Sequence, residues 1–538
     1  MDRDPVARHE LGGRIVKSKV IICSLGVLLW TLVLVIPQAG AATKSNKSGP
    51  KVGGTVTIGE YSPVLTLNPI ASDTQSGELT NLYGNLIYYN SKTKKYNFDL
   101  ADGLDHNSSD TMWTLHIRPN VVFSNGQPFN AAAVVAALDE ELNPAVHSPA
   151  YGQLANYVDS ITAPSNLDVV FTLKLPVADF EWLLSYYASY IPAPAYLKEV
   201  AAGDTTAAPI GAGPFKFSSL VPESSVTLVR NTSYWQGAPY LNSVKYEYIA
   251  GGTATLQAYN AGELQGGLVI DWPSIHAVSE DHIPHYAYVE DLGYTLLMNN
   301  RSYGTPGGSI LSDVELRKAI AMAINQPIYN QRLNQGYGTN TNVMFPPSSA
   351  WYDPKLKGVP YDPAEAKKLV AQVETAMHWN GSLNVDCDSS PSYAAFGATI
   401  ESMLNPLGIH VNLTTSLNQG QFIDNVIVNK TYDLACWGAG IPDVAPTVDL
   451  YSNLYSTSFD NYGAYSSPAM DQALTSLVAA KTSSDVKADL AKIQEVFNTT
   501  VPYANVGQNE YVGFYSPKLH GVSEDGIGTL GLAKAWMS

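Results

Sequence analysis

The chain has 538 residues, 45% of them apolar, enough for roughly two to four domains with sizeable cores. Its formal net charge is −17, from 31 Lys and Arg against 48 Asp and Glu, and no basic stripe runs along it, which excludes binding nucleic acid through phosphates. Only 15% of residues are charged while 33 are Tyr, whose flat apolar ring and single polar tip suit a cleft for polar organic ligands, although most are expected to pack half-buried.

Arg14, Lys17 and Lys19 precede a chargeless, mostly apolar run from Val20 to Ile36, followed by Pro37 and Ala39-Gly40-Ala41. This order of basic, apolar and small residues predicts a signal peptide over 1–41 and a mature chain outside the cytoplasmic membrane. The run is also near the lower limit for spanning a bilayer, so an uncleaved N-terminal anchor is the alternative. Residues 42–51 predict a flexible tether.

Strands and helices then alternate. Thr55–Ile58 reads as a strand, and Glu78–Tyr89 as a helix with Leu79, Leu82, Leu86 and Tyr89 at helical spacing. Thr111–Ile117 predicts a half-buried strand with Trp113, Leu115 and Ile117 on one face, and Asn130 caps a helix over Ala131–Leu142. Val169, Phe171, Leu173 and Leu175 alternate on a further strand. Ser312 to Glu315 has the spacing of a capping box for a helix to Ile324, and Pro327 restarts a helix toward Leu333. Strands are expected at 383–386, 410–414, 432–436 and near Tyr503, with helices at 393–404 and 422–428 and from Met470 and Asp485. Such alternation predicts α/β lobes with mixed sheets.

Of three cysteines, Cys23 falls in the signal peptide; Cys387 and Cys436 are expected as buried free thiols, a single disulfide being the alternative. No H-E-x-x-H, C-x-x-C, G-x-S-x-G or phosphate-loop motif occurs. His276, His282 and His285 lie in a segment without helical register and read as surface residues, and the adjacent acids Asp139/Glu140 and Glu280/Asp281 read as solvated charge. No metal site, cofactor or enzymatic activity is expected.

Several segments resemble the bacterial extracellular solute-binding proteins of family 5, the dipeptide, oligopeptide and nickel receptors of ABC importers. They begin with Gly53-Gly54-Thr55-Val56, Leu67-Asn68-Pro69 and Leu100-Ala101-Asp102-Gly103-Leu104. The most specific is Trp113 to Leu138, similar to the family's strand, "F-s-d-G" turn and helix; Asn125-Gly126 supplies the turn, and Ala133 stands where the family usually has Asp. Gly211 to Phe215, Arg230-Asn231 with Tyr234-Trp235, and Leu311 to Asn325 match later motifs in the family's order.

The resemblance implies an α/β, two-lobed periplasmic-binding-protein-like (type II) fold with crossover hinge strands and an extra domain on the N-terminal lobe. Domain I would comprise 52–72, 195–292 and 505–538, the inserted domain II 73–194, and the distal lobe 293–504. It also implies a monomer that captures peptides or peptide-like solutes between its lobes and delivers them to an ABC permease. A nickel-chelate or haem receptor, or a membrane-anchored sensor without a transport role, are the alternatives.

Tyr432 to Asp443 resembles the family strand that hydrogen-bonds the ligand backbone, placing Cys436, Trp437 and Gly438 at the ligand. Gly440 occupies the position of the acid that pairs with the ligand's ammonium group, and Asp443 is the acid that survives. Matching of the same kind adds Gln75 and Ser76, Tyr151, Asn461, Tyr503 and Asn505 as ligand contacts.

Overall fold

The computed structural model describes residues 49–72 and 76–538, so the expected signal peptide, most of the tether and Gln75 lie outside the described residues. From the N-terminus the strands are β1 (Thr55–Glu60), β2 (Ile87–Asn90), β3 (Lys95–Phe98), β4 (Ala101–His106), β5 (Met112–Ile117), β6 (Val158–Thr162), β7 (Asp168–Leu173) and β8 (Phe215–Val221). They continue as β9 (Ser225–Arg230), β10 (Ser243–Tyr248), β11 (Gly266–Val269), β12 (His285–Met298), β13 (Ser382–Asp388), β14 (His410–Leu417), β15 (Leu434–Pro442) and β16 (Tyr503–Tyr515).

A mixed ten-stranded sheet in the order β14-β13-β15-β12-β16-β11-β1-β10-β9-β8 runs through the protein. Its two longest members, β12 and β16, are antiparallel neighbours and cross between the halves: β12 bonds outward to β15 and β16 to β11. One half is therefore built on β13, β14 and β15, the other on β1 and β8 to β11. This is the two-lobed fold with crossover strands. The inserted segment carries a separate antiparallel sheet, β4-β5-β7-β6.

Local signals explain much of this. Trp113, Leu115 and Ile117 are buried on one face of β5. Gly126 turns at φ 86°, and Asn130 accepts the Ala133 amide to open the helix Ala131–Glu141. Asn81 lies in a fully buried helix, Gly77–Tyr83; its amide nitrogen donates to Gly77, Tyr246 and Leu530, and its oxygen accepts from Leu532, tying the C-terminal segment to the β1 half.

Four expectations need correction. The helix predicted to Tyr89 stops at Tyr83, because Gly84 turns to φ 70° and Ile87–Asn90 pairs with β3. The cap of the helix Val314–Ala323 is Asp313, not Ser312, its carboxylate accepting the amides of Glu315 and Leu316. The helix expected over 422–428 is a short turn, Gln419–Ile423, running into a wider π-helix, Asp424–Asn429. Cys387 and Cys436 are joined as a disulfide rather than left as thiols, on β13 and β15, which are parallel neighbours.

Both cysteines are fully buried, and their bridge closes a sequence separation of 49 residues in the distal half. Closing a loop of that length restricts the unfolded chain and stabilises the fold by about 3–4 kcal/mol. Cys387→Ala/Cys436→Ala should accordingly unfold at lower urea than the wild type in oxidising buffer, and adding reductant should move only the wild type. Identical urea midpoints would contradict the bridge.

Candidate functional site

The crossover pair is irregular at one place. β12 is in register with β16 from His285 to Glu290 and again from Thr295, and its pairing with β15 shifts between Glu290 and Tyr294. At this slip Glu290 lies opposite Asn509 and Pro442, and Tyr294 opposite Gly507 and Gly438. β13 accompanies β15 only at Leu434 and Ala435, so from Trp437 onward β12 is the one strand registered beside it.

Against this region lies a cavity of about 1000 Å³, bounded on its other sides by the inserted segment around Tyr151 and by the distal loops around Asn453 and Asp460. Tyr151, Tyr294, Tyr393, Tyr462, Tyr511 and Trp437 supply much of its wall. The rings hold one another: Tyr151 meets Phe459 edge-on at 5.2 Å, Tyr294 meets Tyr393 at 6.3 Å, and Trp437 lies 5.6 Å from both Phe422 and Tyr462. Flat surfaces fixed by neighbouring rings offer contact area at little entropic cost.

The charged lining is one-sided. Glu290, Asp424, Asp449 and Asp460 face the cavity, whereas no Lys or Arg among the described residues does, and His147 is its sole imidazole. Burial pushes the Glu290 carboxyl up to about 7, although the Asn509 amide donates to it at 3.2 Å. Burial likewise pushes Asp449 up to about 8 and Asp460 up to about 7. Asp449 is fully engaged, accepting from the Trp182 indole at 3.1 Å and the Tyr187 hydroxyl at 2.6 Å. Asp460 is 3% exposed; Oδ1 accepts from Tyr462 at 3.0 Å and Oδ2 has no hydrogen-bond partner.

Of the residues singled out in the sequence, Tyr151, Trp437, Gly438 and Gly440 line this cavity. The others do not. Cys436 is sealed in the disulfide at 0% exposure. Asp443 turns away to hold a distal loop, Oδ1 accepting from the Ser349 hydroxyl at 2.6 Å and the Ala350 amide at 2.9 Å, while its carbonyl takes the Trp351 indole at 2.7 Å. Asn461 spends its side chain on Tyr455 and Tyr465, and Asn505 on Val343 and Gly507. Tyr503 and Asn461 face a separate small void beside Trp437. Ser76 borders a second cavity of about 230 Å³ with the buried Glu60 and Glu78. The acids Glu290, Asp449 and Asp460 carried no local signal, since nothing around them in sequence marks a site.

The family described as bacterial extracellular solute-binding proteins, family 5 Middle, matches residues 95–462. The glutathione-binding protein GsiB of Escherichia coli K12 is 27% identical over 338 residues, 62% of this chain and 64% of that protein, so the chain spans under two thirds of the curated relatives it matches. Solved structures cover more. The DppA protein of Helicobacter pylori in complex with the peptide STSA superposes with a TM-score of 0.74 at 22% identity over 90% of this chain and 98% of that one. AgaA from A. tumefaciens R10 with agropinic acid gives 0.75 at 19% identity over 90% and 99%. The oligopeptide-binding protein AppA of Bacillus subtilis with a nonapeptide gives 0.74 at 17% identity over 91% and 100%. These likenesses show the fold.

A carboxyl whose folded pKa lies above its unfolded value stabilises the fold below the unfolded pKa, and that contribution is lost as pH rises through the folded one. For Glu290 the loss spans its ordinary 4.5 to about 7. Glu290→Gln, which keeps a neutral polar group there, should match the wild type at pH 5 and exceed it at pH 8 by on the order of 2 kcal/mol in the ligand-free protein. Urea unfolding at the two pH values measures this, and a difference that does not change with pH would contradict the burial argument.

Proposed function

We propose that this chain, which belongs to the bacterial extracellular solute-binding proteins of family 5, is the capture component of an ABC importer for amine-bearing, peptide-like solutes. The observation that carries this reading is the aromatic and acidic cavity of about 1000 Å³ at the crossover strands, a volume suited to a small organic ligand. Solute enters between the lobes, the rings close over it, and the closed form is handed to a membrane permease. No covalent step and no cofactor is needed.

Two features support a peptide-like ligand in particular. Trp437 to Gly440 present backbone groups beside the cavity where β13 has stopped, so an extended ligand has an edge to bond. Aromatic walls bury its apolar parts without demanding one sequence. The ligands named for the relatives, a peptide, glutathione and agropinic acid, are all small polar organic solutes. In this reading domain I comprises 52–72, 195–292 and 505–538, domain II 73–194, and the distal lobe 293–504, with residues 1–41 directing export.

The test is solute capture. Native mass spectrometry of the exported protein should show a bound small molecule, and saturation at a hundredfold over Kd should stabilise the protein by about 2.7 kcal/mol. Binding should also change the tryptophan emission, and Trp437→Phe should remove most of that change and weaken binding about tenfold, near 1.4 kcal/mol. A protein that carries no solute, and that neither shifts nor stabilises with dipeptides, tripeptides, glutathione or opines, would overturn the receptor reading.

A further inference from the structure

Gly440 lacks the side chain that the matched position would direct at a ligand ammonium group, yet the place is not empty of charge. A Cβ built on Gly440 would lie 3.5 Å from Oε1 of Glu290, so the Glu290 carboxylate already occupies the space into which an acid at 440 would extend. Glu290 comes from β12, the crossover strand, and lies opposite Pro442 across the ladder. Gly440 has φ 60°, a left-handed conformation that a side chain would strain. The negative group has thus moved to the neighbouring strand.

A second carboxylate is poised apart from the first. Asp460, in the distal half, packs against the helix Tyr151–Tyr157 of the inserted segment, where a Cβ on Gly152 would collide with its carboxylate. Oδ2 is buried and without a hydrogen-bond partner, in a side chain 97% removed from solvent that borders the cavity. An acidic oxygen held that way is stabilised by a cationic donor from outside the protein. Asp449 does not compete for such a donor, because both its oxygens are taken by Trp182 and Tyr187. A ligand carboxylate would meet four acids, with no lining Lys or Arg to receive it and His147 as the one basic side chain.

Resting on the receptor reading above, we infer that the captured solute is a dication without a free carboxylate, one ammonium group held by Glu290 beside Gly440 and the other by Asp460, its carbon body lying on the tyrosine and tryptophan rings. Asp424, exposed at the same cavity, adds to the attraction that draws a cation in.

Calorimetry with three matched probes tests the assignment: lysyl-tyrosine amide, which has two ammonium groups and no carboxylate, the same dipeptide as its free acid, and the Nα-acetylated amide. The dicationic amide should bind at least tenfold tighter than either. Glu290→Gln and Asp460→Asn should each weaken the amide tenfold or more, while Asp443→Asn should leave its affinity unchanged, since that acid only holds a distal loop. Should a variant fail to fold, the wild type carries the test: affinity for the amide, whose two amines are mostly protonated at pH 7, should fall at least tenfold from pH 7 to pH 5 as the acids take up protons, and fall again with added salt. A free acid that binds as tightly as the amide, or an amide that does not bind, overturns the dication assignment. The receptor reading fails separately, only if the broad solute panel also gives no binding.

Discussion

The structure depends on one hydrogen-bonded pair, the antiparallel crossover strands β12 and β16. Each is bonded on its outer edge to a different half of the sheet, so ten strands form a continuous layer although they belong to two lobes. The ladder with β16 loses register between Glu290 and Tyr294 and shifts once more between Tyr294 and Thr295. A slip in an otherwise regular pair bends the strand and re-aims its side chains. The cavity lies against that slip, with Glu290 and Asn509 on one side of it and Tyr294 on the other. Fold and site share this irregularity.

Buried polar groups near the crossover divide by what they are bonded to. Asn461, Asn505 and Asp449, and the half-buried Asp443, are satisfied by protein donors or acceptors, and the cost of removing them from water is met within the fold. Asp291, beside the slip, is also pushed up to about 7, first by burial and then by Asp443 next to it, and it accepts from Gln508. Asp291 and Asp460 each keep one oxygen, Oδ2, unmatched, and of the two only Asp460 borders the cavity. An unmatched buried acid lowers the stability of the empty protein and is a reserve that a cationic ligand discharges, the usual trade between stability and function.

What the sequence made legible was local. Asn130, the Asn125-Gly126 turn and the alternation of Trp113, Leu115 and Ile117 act within a few residues, and the structure agrees with each. The helix read through Tyr89 failed where two periods overlap, because Leu86 and Tyr89 fit a helix as well as the strand they join, and Gly84 decided it. Trp437, Gly438 and Gly440 were singled out from a motif and border the cavity, but counting along the motif could not show that Asp443 turns to Ser349, 94 residues away. The disulfide was hidden for the same reason: adjacency of β13 and β15 is a property of the sheet.

Glu290 shows why the charged part of the site lay beyond a linear reading. Its nearness to Gly440 comes from cross-strand pairing, in which an acid on one strand does the work of an acid on the next. Moving the charge from β15 to β12 also changes what it belongs to. At 440 an acid would ride with the distal half alone; at 290 it sits where both ladders of β12, with β15 and with β16, shift. A positive group met there would be neutralised at the slip, so the carboxylate assigned to the cation lies on a strand that joins the two halves of the sheet.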